Sequence, residues 1–389
     1  MINMAKLIDF DDRSICNEYG SVLKKRNNEL INSKGCDINM IVGRRSNGKT
    51  YPTSTFDGVK RFIDSNYTDA FAYVRRYDSD LKAMQVDLFK GCIGNGWLSW
   101  YTKGKWNDIY YYRGKWYLRR LNDDHEVEEK MKNPVAYAFA INRCEAYKGP
   151  DYLDIKMILF DEFIPMKAER GYIPGEWKLW QNLVSTIVRE RGDVIIYMIA
   201  NTISKNSIYF DKYKIDIDKI EQGSIVVYKF KSGGKMALEY CKDSDDVSIE
   251  SSKYFEIDDS DANMITKGTW ETADYPTLPK KYRKYKNRTH MSFFIHHADK
   301  VIQGDILATE SGMTMIYFHR KTTPVRHKDD YEYFETWDIE RMDEPNFRIG
   351  FNPQFQLDKI ILTLLNNNQC YYQDNDTGET VKYFLDNTK

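Results

Sequence analysis

Residues 43–50, Gly-Arg-Arg-Ser-Asn-Gly-Lys-Thr, carry the spacing G-x4-G-K-T, and that spacing can hold a phosphate. The backbone N–H groups of Gly43, Ser46, Asn47 and Gly48 can curl around an anion. Lys49 can reach the β- and γ-phosphates of a nucleotide, and Thr50 offers a hydroxyl to Mg²⁺. A chance match in a loop is the bland alternative. Context argues against it, because the match follows the apolar run "DINMIVG" (37–43) and precedes the helical pattern "TSTFDGVKRFIDS" (53–65). Pro52 falls at the start of that helix, where a missing N–H costs little.

A second apolar run, "MILFDEF" (157–163), reaches Asp161 and Glu162 where a buried strand would end. An aspartate there can hold Mg²⁺ through water, and a glutamate beside it can orient and activate an attacking water. Taken alone, the pair reads as acids facing solvent. Together with the phosphate loop it reads as the hydrolytic half of an ATP site, since a kinase has no use for a water-activating base beside the γ-phosphate. A third run, "VIIYMIAN" (194–201), ends in Asn201, whose amide can sense the γ-phosphate or simply form a turn.

The chain has 389 residues, 42% hydrophobic and 30% charged, with a net charge of −1, which is the balance of a soluble globular protein of two or three domains. No global positive charge announces a nucleic-acid binder, so any such surface must be local. The six cysteines lie far apart without a C-x-x-C pair, which indicates neither zinc nor disulfides and suits a reducing compartment. The first twenty residues do not read as a signal peptide, and no apolar run approaches the roughly 20 residues of a membrane span.

Strand-like runs at 37–43, 70–76, 135–142, 155–162 and 193–201 alternate with helix patterns at 53–65 and 177–191, which predicts a mostly parallel sheet covered by helices. The aromatic stretch 96–118, with its Lys-Gly-Lys and Arg-Gly-Lys turns, predicts an inserted antiparallel hairpin. Beyond residue 230 the chain turns polar and acidic. It then carries a basic run, "KKYRKYKNR" (280–288), in which Lys280, Lys281, Arg283, Lys284, Lys286 and Arg288 flank two tyrosines. Such a run can bind DNA or RNA phosphates, with tyrosines against sugars or bases, or can serve as a charged linker. Strand-like "MSFFIHHA", "MTMIYFHRK", "YEYFETWDI" and "FRIGF" follow, then a helical "FQLDKIILTLLNNN". His296 and His297, with Asp299 as their nearby co-ligand, read as structural.

An arginine inside the phosphate loop, "YVRRY" (73–77), "FDEF" (160–163) and "RER" (189–191) accompany the three site elements in order. Together they resemble the genome-packaging ATPases of phi29-type small tailed phages, over residues 38–77 and 148–204. The resemblance implies an α/β P-loop NTPase domain of the additional-strand, RecA-like class over 1–232. It further implies a small helical linker domain over 233–278 and an α+β, RNase H-like, vestigial-nuclease domain over 279–389. By position, Arg45 is implied near the γ-phosphate, Arg189 as a trans-acting finger with Arg191 as the alternative, and Lys148 as a second basic group across the interface. Arg44 has no such match, and a solvent-facing role is open to it. ATP and Mg²⁺ are the implied cofactors of a motor that drives double-stranded DNA into a procapsid. Its implied partners are the portal (connector), a prohead RNA and further copies of itself in a ring, a pentamer by resemblance, with no membrane. The implied location is the host cytoplasm, on the procapsid and not in the mature virion. The tail strands are poor in acids, with Asp299 and Asp305 expected in connections, so no nuclease activity is expected. A terminase-type motor with an active nuclease and a cellular nucleic-acid-remodelling ATPase or helicase are the rival readings. Metal-dependent cleavage and strand-displacement assays separate them.

Overall fold

The computed structural model describes residues 3–4, 28–44, 48–165, 171–202, 204–242, 275–287, 289–297, 300–326, 329–335, 341 and 344–388. The described residues group into two units, one from 1–205 and 214–270, the other from 206–213 and 271–389.

The strands of the first unit are β1 (Asn3–Met4), β2 (Ile38–Gly43), β3 (Ala70–Arg75), β4 (Asp108–Tyr112), β5 (Lys115–Leu121), β6 (Val127–Lys130), β7 (Ala136–Ala140), β8 (Ile155–Asp161), β9 (Ile195–Asn201), β10 (Ser224–Lys229) and β11 (Lys235–Tyr240). They form one sheet in the order β1-β10-β11-β2-β9-β8-β3-β7-β5-β4, with β6 on β5. The six central strands from β11 to β7 run parallel. Their near-continuous apolar runs follow from burial on both faces, which the parallel arrangement imposes. β9 lies between the phosphate-loop strand β2 and the acid-tipped strand β8, which is the additional-strand arrangement of P-loop ATPases.

Three local features differ from the sequence reading. The helix after the loop begins at Thr50 and widens into π-helical turns over Thr53–Lys60 before closing as an α-helix over Arg61–Asp64. Within it Gly58 lies against the Phe71 ring, where a Cβ would come within 2.7 Å. The 96–118 stretch is a short helix, Trp97–Tyr101, followed by the β4–β5 hairpin. That hairpin turns through Arg113 and Gly114, both at positive φ, the backbone of a tight two-residue turn. The boundary expected after residue 232 falls inside the β10–β11 hairpin. Because β11 pairs with β2, the first sheet runs through Tyr240. Most of the expected 233–278 linker, residues 243–274, lies outside the described residues.

The second unit holds β12 (Thr289–His297), β13 (Lys300–Ala308), β14 (Thr314–Arg320), β15 (Tyr331–Phe334), β16 (Phe347–Ile349) and β17 (Cys370–Tyr372), in the order β16-β15-β12-β13-β14-β17. β12, β13 and β14 are antiparallel neighbours, while β15 and β16 run parallel to β12. This is the order and direction of an RNase H-like sheet, with β17 added. Helices Gln356–Asn366 and Asn375–Asn387 bury Ile361, Leu364, Val381 and Phe384 against Phe293, Ile295, Phe318 and Tyr333. Asp305 sits within β13 and not in a connection. There Ser292 Oγ, Gln303 Nε2 and His319 Nε2 all reach its carboxylate (2.7, 2.9 and 3.0 Å). Burial opposes its charge, but these partners hold its pKa below the usual carboxylate range.

One buried ion pair ties the first unit together. Arg76, just past β3, donates from Nε and Nη2 to both Glu176 oxygens (2.8 and 3.0 Å) and from Nη1 and Nη2 to the Glu162 and Phe163 carbonyls (3.0 and 2.7 Å). Both side chains are almost fully buried. Removing one partner of such a pair strands a charge and costs about 3–5 kcal/mol. Arg76→Ala or Glu176→Ala should therefore lower the first unit's unfolding free energy in urea by that amount. Arg76→Met with Glu176→Leu should recover only part of it, since two carbonyls still lose their donor.

Candidate active site

β2, β9, β8 and β3 end side by side, so their last residues share the carboxyl edge of the sheet, where open α/β sheets bind ligands. A cavity of about 480 Å³ opens there, lined by Gly48, Lys49, Thr50, Arg75, Asp161, Glu162 and Asn201, with Tyr51, Met84 and Leu88 as an apolar wall. Three sequence-predicted elements thus meet in one place.

Lys49 is buried, and its ammonium donates to the carbonyls of Gly43 (2.9 Å) and Arg44 (2.7 Å) and to Asn201 Oδ1 (3.0 Å). Asn201 thereby reaches the same point as the loop lysine from the neighbouring strand. Gly48 adopts φ +76, a left-handed turn that glycine takes without strain. Thr202 N–H closes on the Gly43 carbonyl at 3.2 Å and fixes β9 against the loop. Arg45, Ser46 and Asn47 lie outside the described residues. Arg44 is buried, 2% exposed, which corrects the solvent-facing alternative, since the side chain is shielded from water where the chain leaves β2.

Asp161 is the last residue of β8 and is buried. Tyr73 donates its hydroxyl to Asp161 Oδ2 at 2.8 Å, and Arg75 Nη1 lies 3.5 Å from the same oxygen. Burial, and then the Asp161 charge, push the Tyr73 phenol well above its ordinary value, so it stays a donor. Glu162 follows at φ +61, an uncommon backbone for a residue with a Cβ, and its carboxylate meets Arg75 Nη2 at 2.5 Å. Burial works against the Arg75 charge, but Tyr73, Asp161 and Glu162 raise its pKa above the ordinary arginine value. Arg75 is therefore a permanent cation inside the cavity. The motif "YVRRY" by itself gives Arg75 no role, because both its partners lie 86 and 87 residues downstream.

The "RER" arginines separate sharply. The helix expected over 177–191 is Glu176–Val188, and Arg189 (φ +41) and Glu190 (φ +65) end it in left-handed conformations. Arg189 leaves the helix surface, half-exposed, and binds Asp151 and the carbonyls of Gly149 (3.2 Å) and Pro150 (3.0 Å). Lys148 is exposed on the same loop, paired with Glu145 at 2.6 Å. Neither Lys148 nor Arg189 lines the cavity of its own chain. Arg191 turns back instead and donates to the carbonyls of Val188, Leu153, Ile155, Tyr152 and Ile187 at 2.7–3.1 Å.

The basic run winds as a 3₁₀-helix over Lys280–Asn287. Its tyrosines face the sheet: Tyr285 is buried with Leu307, Met315 and Tyr317, and the Tyr282 ring packs 6.3 Å from Tyr371. They are not presented to bases, which corrects that part of the expectation. Lys280, Lys281, Arg283, Lys284 and Lys286 stay at the surface, with Lys286 Nζ 3.8 Å above the Tyr317 ring, and Arg288 lies outside the described residues.

Arg191 holds backbone, and Arg189 does not anchor the core. Arg191→Ala should cost about 1–3 kcal/mol, because several carbonyls lose their donor. Arg189→Ala should stay within about 0.5 kcal/mol of the parent, as surface changes do. Chemical denaturation of the two variants checks the contrast.

Comparison with known proteins finds similarity to phage DNA packaging proteins. The family model of the podovirus DNA encapsidation protein (Gp16) matches residues 126–251. The DNA packaging protein of Bacillus phage phi29 is 26% identical over 179 residues, 44% of this chain and 45% of that protein. That of Bacillus phage B103 is 28% identical over 190 residues, 47% of this chain and 50% of that protein. The chain thus spans about half the length of the curated relatives it matches. In fold the likeness is longer: a chain of the phi-29 viral genome packaging motor assembly superposes with a TM-score of 0.55 at 17% identity, covering 94% of this chain and 99% of that one. In sequence over part of its length this chain is similar to the podovirus Gp16 encapsidation proteins, and in fold over nearly all of it to a chain of the phi-29 packaging motor assembly.

Proposed function

We propose that this chain hydrolyses ATP and uses the energy to drive double-stranded DNA into a phage procapsid, working in a homo-oligomeric ring docked at the portal. The observation that carries the hydrolytic part is the convergence of Lys49, Asp161, Glu162 and Asn201 on one cavity at the carboxyl edge of the sheet. Gly43, Gly48 and Lys49 would hold the phosphates, together with Ser46 and Asn47. Glu162 would take the proton of the attacking water, and Asn201, already on Lys49, would register the γ-phosphate. Arg75 positions Glu162, and Arg45 would face the γ-phosphate. The donor set fits Mg²⁺: both described contacts of Asp161 use Oδ2, so Oδ1 is left to accept from a metal-bound water, and the Thr50 hydroxyl lines the same cavity. When bound, the ion supplies charge neutralisation between the phosphates.

The ring supplies what one chain lacks. Arg189 and Lys148 share one loop surface away from their own cavity, which suits cations that act on a neighbour's ATP. A pentamer and a prohead RNA partner belong to this reading through the phi29-type resemblance, as does action on the procapsid in the host cell.

Hydrolysis tests the assignment directly. Lys49→Ala should weaken nucleotide binding, while Glu162→Gln should keep ATP bound and lower turnover by about 10²–10⁴. Arg189→Ala should also be inactive, and mixing it with Glu162→Gln should restore part of the activity, because one interface type then has both partners intact. Substantial turnover by Glu162→Gln alone removes the base. A mixture as inactive as its components, with ring assembly confirmed, removes the trans role.

The surface cations of 280–286 are proposed to neutralise nucleic-acid phosphates by charge alone, their tyrosines being packed down. The log–log salt dependence of binding is to be measured on duplex DNA and on structured RNA. When Lys280, Lys281, Arg283 and Lys284 become alanine, the duplex slope should flatten by about 0.9 for each phosphate no longer neutralised. Unchanged slopes on both ligands would make the run a charged linker.

A further inference from the structure

The second unit brings together Asp211, His297 and Glu335, three residues far apart in sequence. His297 ends β12, Glu335 follows the parallel neighbour β15, and Asp211 comes from the helix Ile208–Tyr213, which packs in this unit. The imidazole nitrogen and one oxygen from each carboxylate all lie within 4.8 Å of one another. His297 is 3% exposed, and its Nδ1 is 2.7 Å from Glu335 Oε1. Tyr383 donates its hydroxyl to Asp211 Oδ2 at 2.5 Å and packs its ring 4.8 Å from that of His297.

The charges in this cluster do not balance. Two partly exposed carboxylates face one buried imidazole, which carries at most one positive charge, and the excess negative charge beside it is costly, the Lys212 charge near Asp211 being a partial counterweight. The nearby Lys300 ammonium is engaged with Asp376, 3.2 Å away. We infer that Asp211, His297 and Glu335 form a binding site for a single divalent cation of the Zn²⁺ class. One nitrogen and two carboxylate oxygens form the mixed donor set of such an ion, whereas Mg²⁺ and Ca²⁺ favour oxygen alone. The ion would replace the proton shared by His297 and Glu335. Bonds of about 2.0–2.1 Å in a tetrahedral arrangement set ligand atoms about 3.3 Å apart, so the pair would open by about 0.6 Å. Tyr383 would orient Asp211 from outside, as the partners of metal ligands do. The bound ion would fasten the 206–213 segment to the ends of β12 and β15.

The test uses the full chain, stripped with EDTA and kept free of nucleotide so that the phosphate-loop site does not recruit a metal. Equilibrium dialysis against micromolar Zn²⁺ should load one ion per chain, and loading should raise the unfolding temperature. Asp211→Asn and Glu335→Gln keep the side-chain shapes and should each weaken binding at least tenfold, while His296→Gln, on the neighbouring histidine, should leave it unchanged. No Zn²⁺ bound by the parent chain, or equal uptake by the Asp211→Asn and Glu335→Gln variants with folding confirmed by circular dichroism, would overturn the site.

Discussion

The candidate active site depends on two adjacent arginines at the end of β3. Successive residues of a strand point to opposite sides, so Arg75 and Arg76 take different environments from one backbone position. Arg76 goes inward, to Glu176 and to the carbonyls of Glu162 and Phe163. Arg75 goes to the cavity, to Asp161 and Glu162. One guanidinium therefore fixes the backbone at Glu162 and Phe163, and the other fixes the side chains of Asp161 and Glu162. Glu162 can hold φ +61 because its carbonyl and its carboxylate are both anchored, and anchoring of that kind is what allows a sparsely populated backbone conformation to persist.

The parts of the site that were legible in the sequence are those where the chemistry sits at the end of a local pattern. Asp161 and Asn201 each close a buried strand, Lys49 follows one through its loop, and the parallel sheet then places all three on one edge. Arg75 and the Arg76–Glu176 pair were not legible as a mechanism, because their partners are 86 to 100 residues away and nothing in "YVRRY" distinguishes its two arginines. The same holds for "RER". Arg189 and Arg191 differ in fate only because the helix stops at Val188 in a left-handed turn that no glycine announces.

The second unit shows the same limit for polar residues inside strands. Asp305 looked like a loop residue because an acid in a buried strand is costly unless paired. The pairing comes from His319 on β14 and Ser292 on β12, which only the sheet brings near. Asp211, His297 and Glu335 meet for a similar reason: a parallel neighbour and a helix from much earlier in the chain close around one histidine. Composition leaves the tyrosines of the basic run free to lie against sugars or bases, or in a charged linker. A 3₁₀ turn instead aligns Tyr282 and Tyr285, three apart, on the face that packs against the sheet, and leaves the lysines outside.

These placements follow a division between cations that hold the protein and cations left to act on a ligand. Arg76 and Arg191 spend their donors on carboxylates and carbonyls of their own unit, and such donors are expensive to withdraw because the acceptors would be left unsatisfied. Lys49 is also fully engaged, but with carbonyl and amide oxygens that a polyphosphate can replace, while Arg75 lies in the cavity holding Asp161 and Glu162. Arg189 and Lys148 hold only exposed partners, where screening leaves an ion pair worth about 0–1 kcal/mol, so a neighbour's phosphate would draw either one away at little cost. Burial and partner type together therefore separate fixed arginines from deployable ones, which charge and sequence position alone could not do.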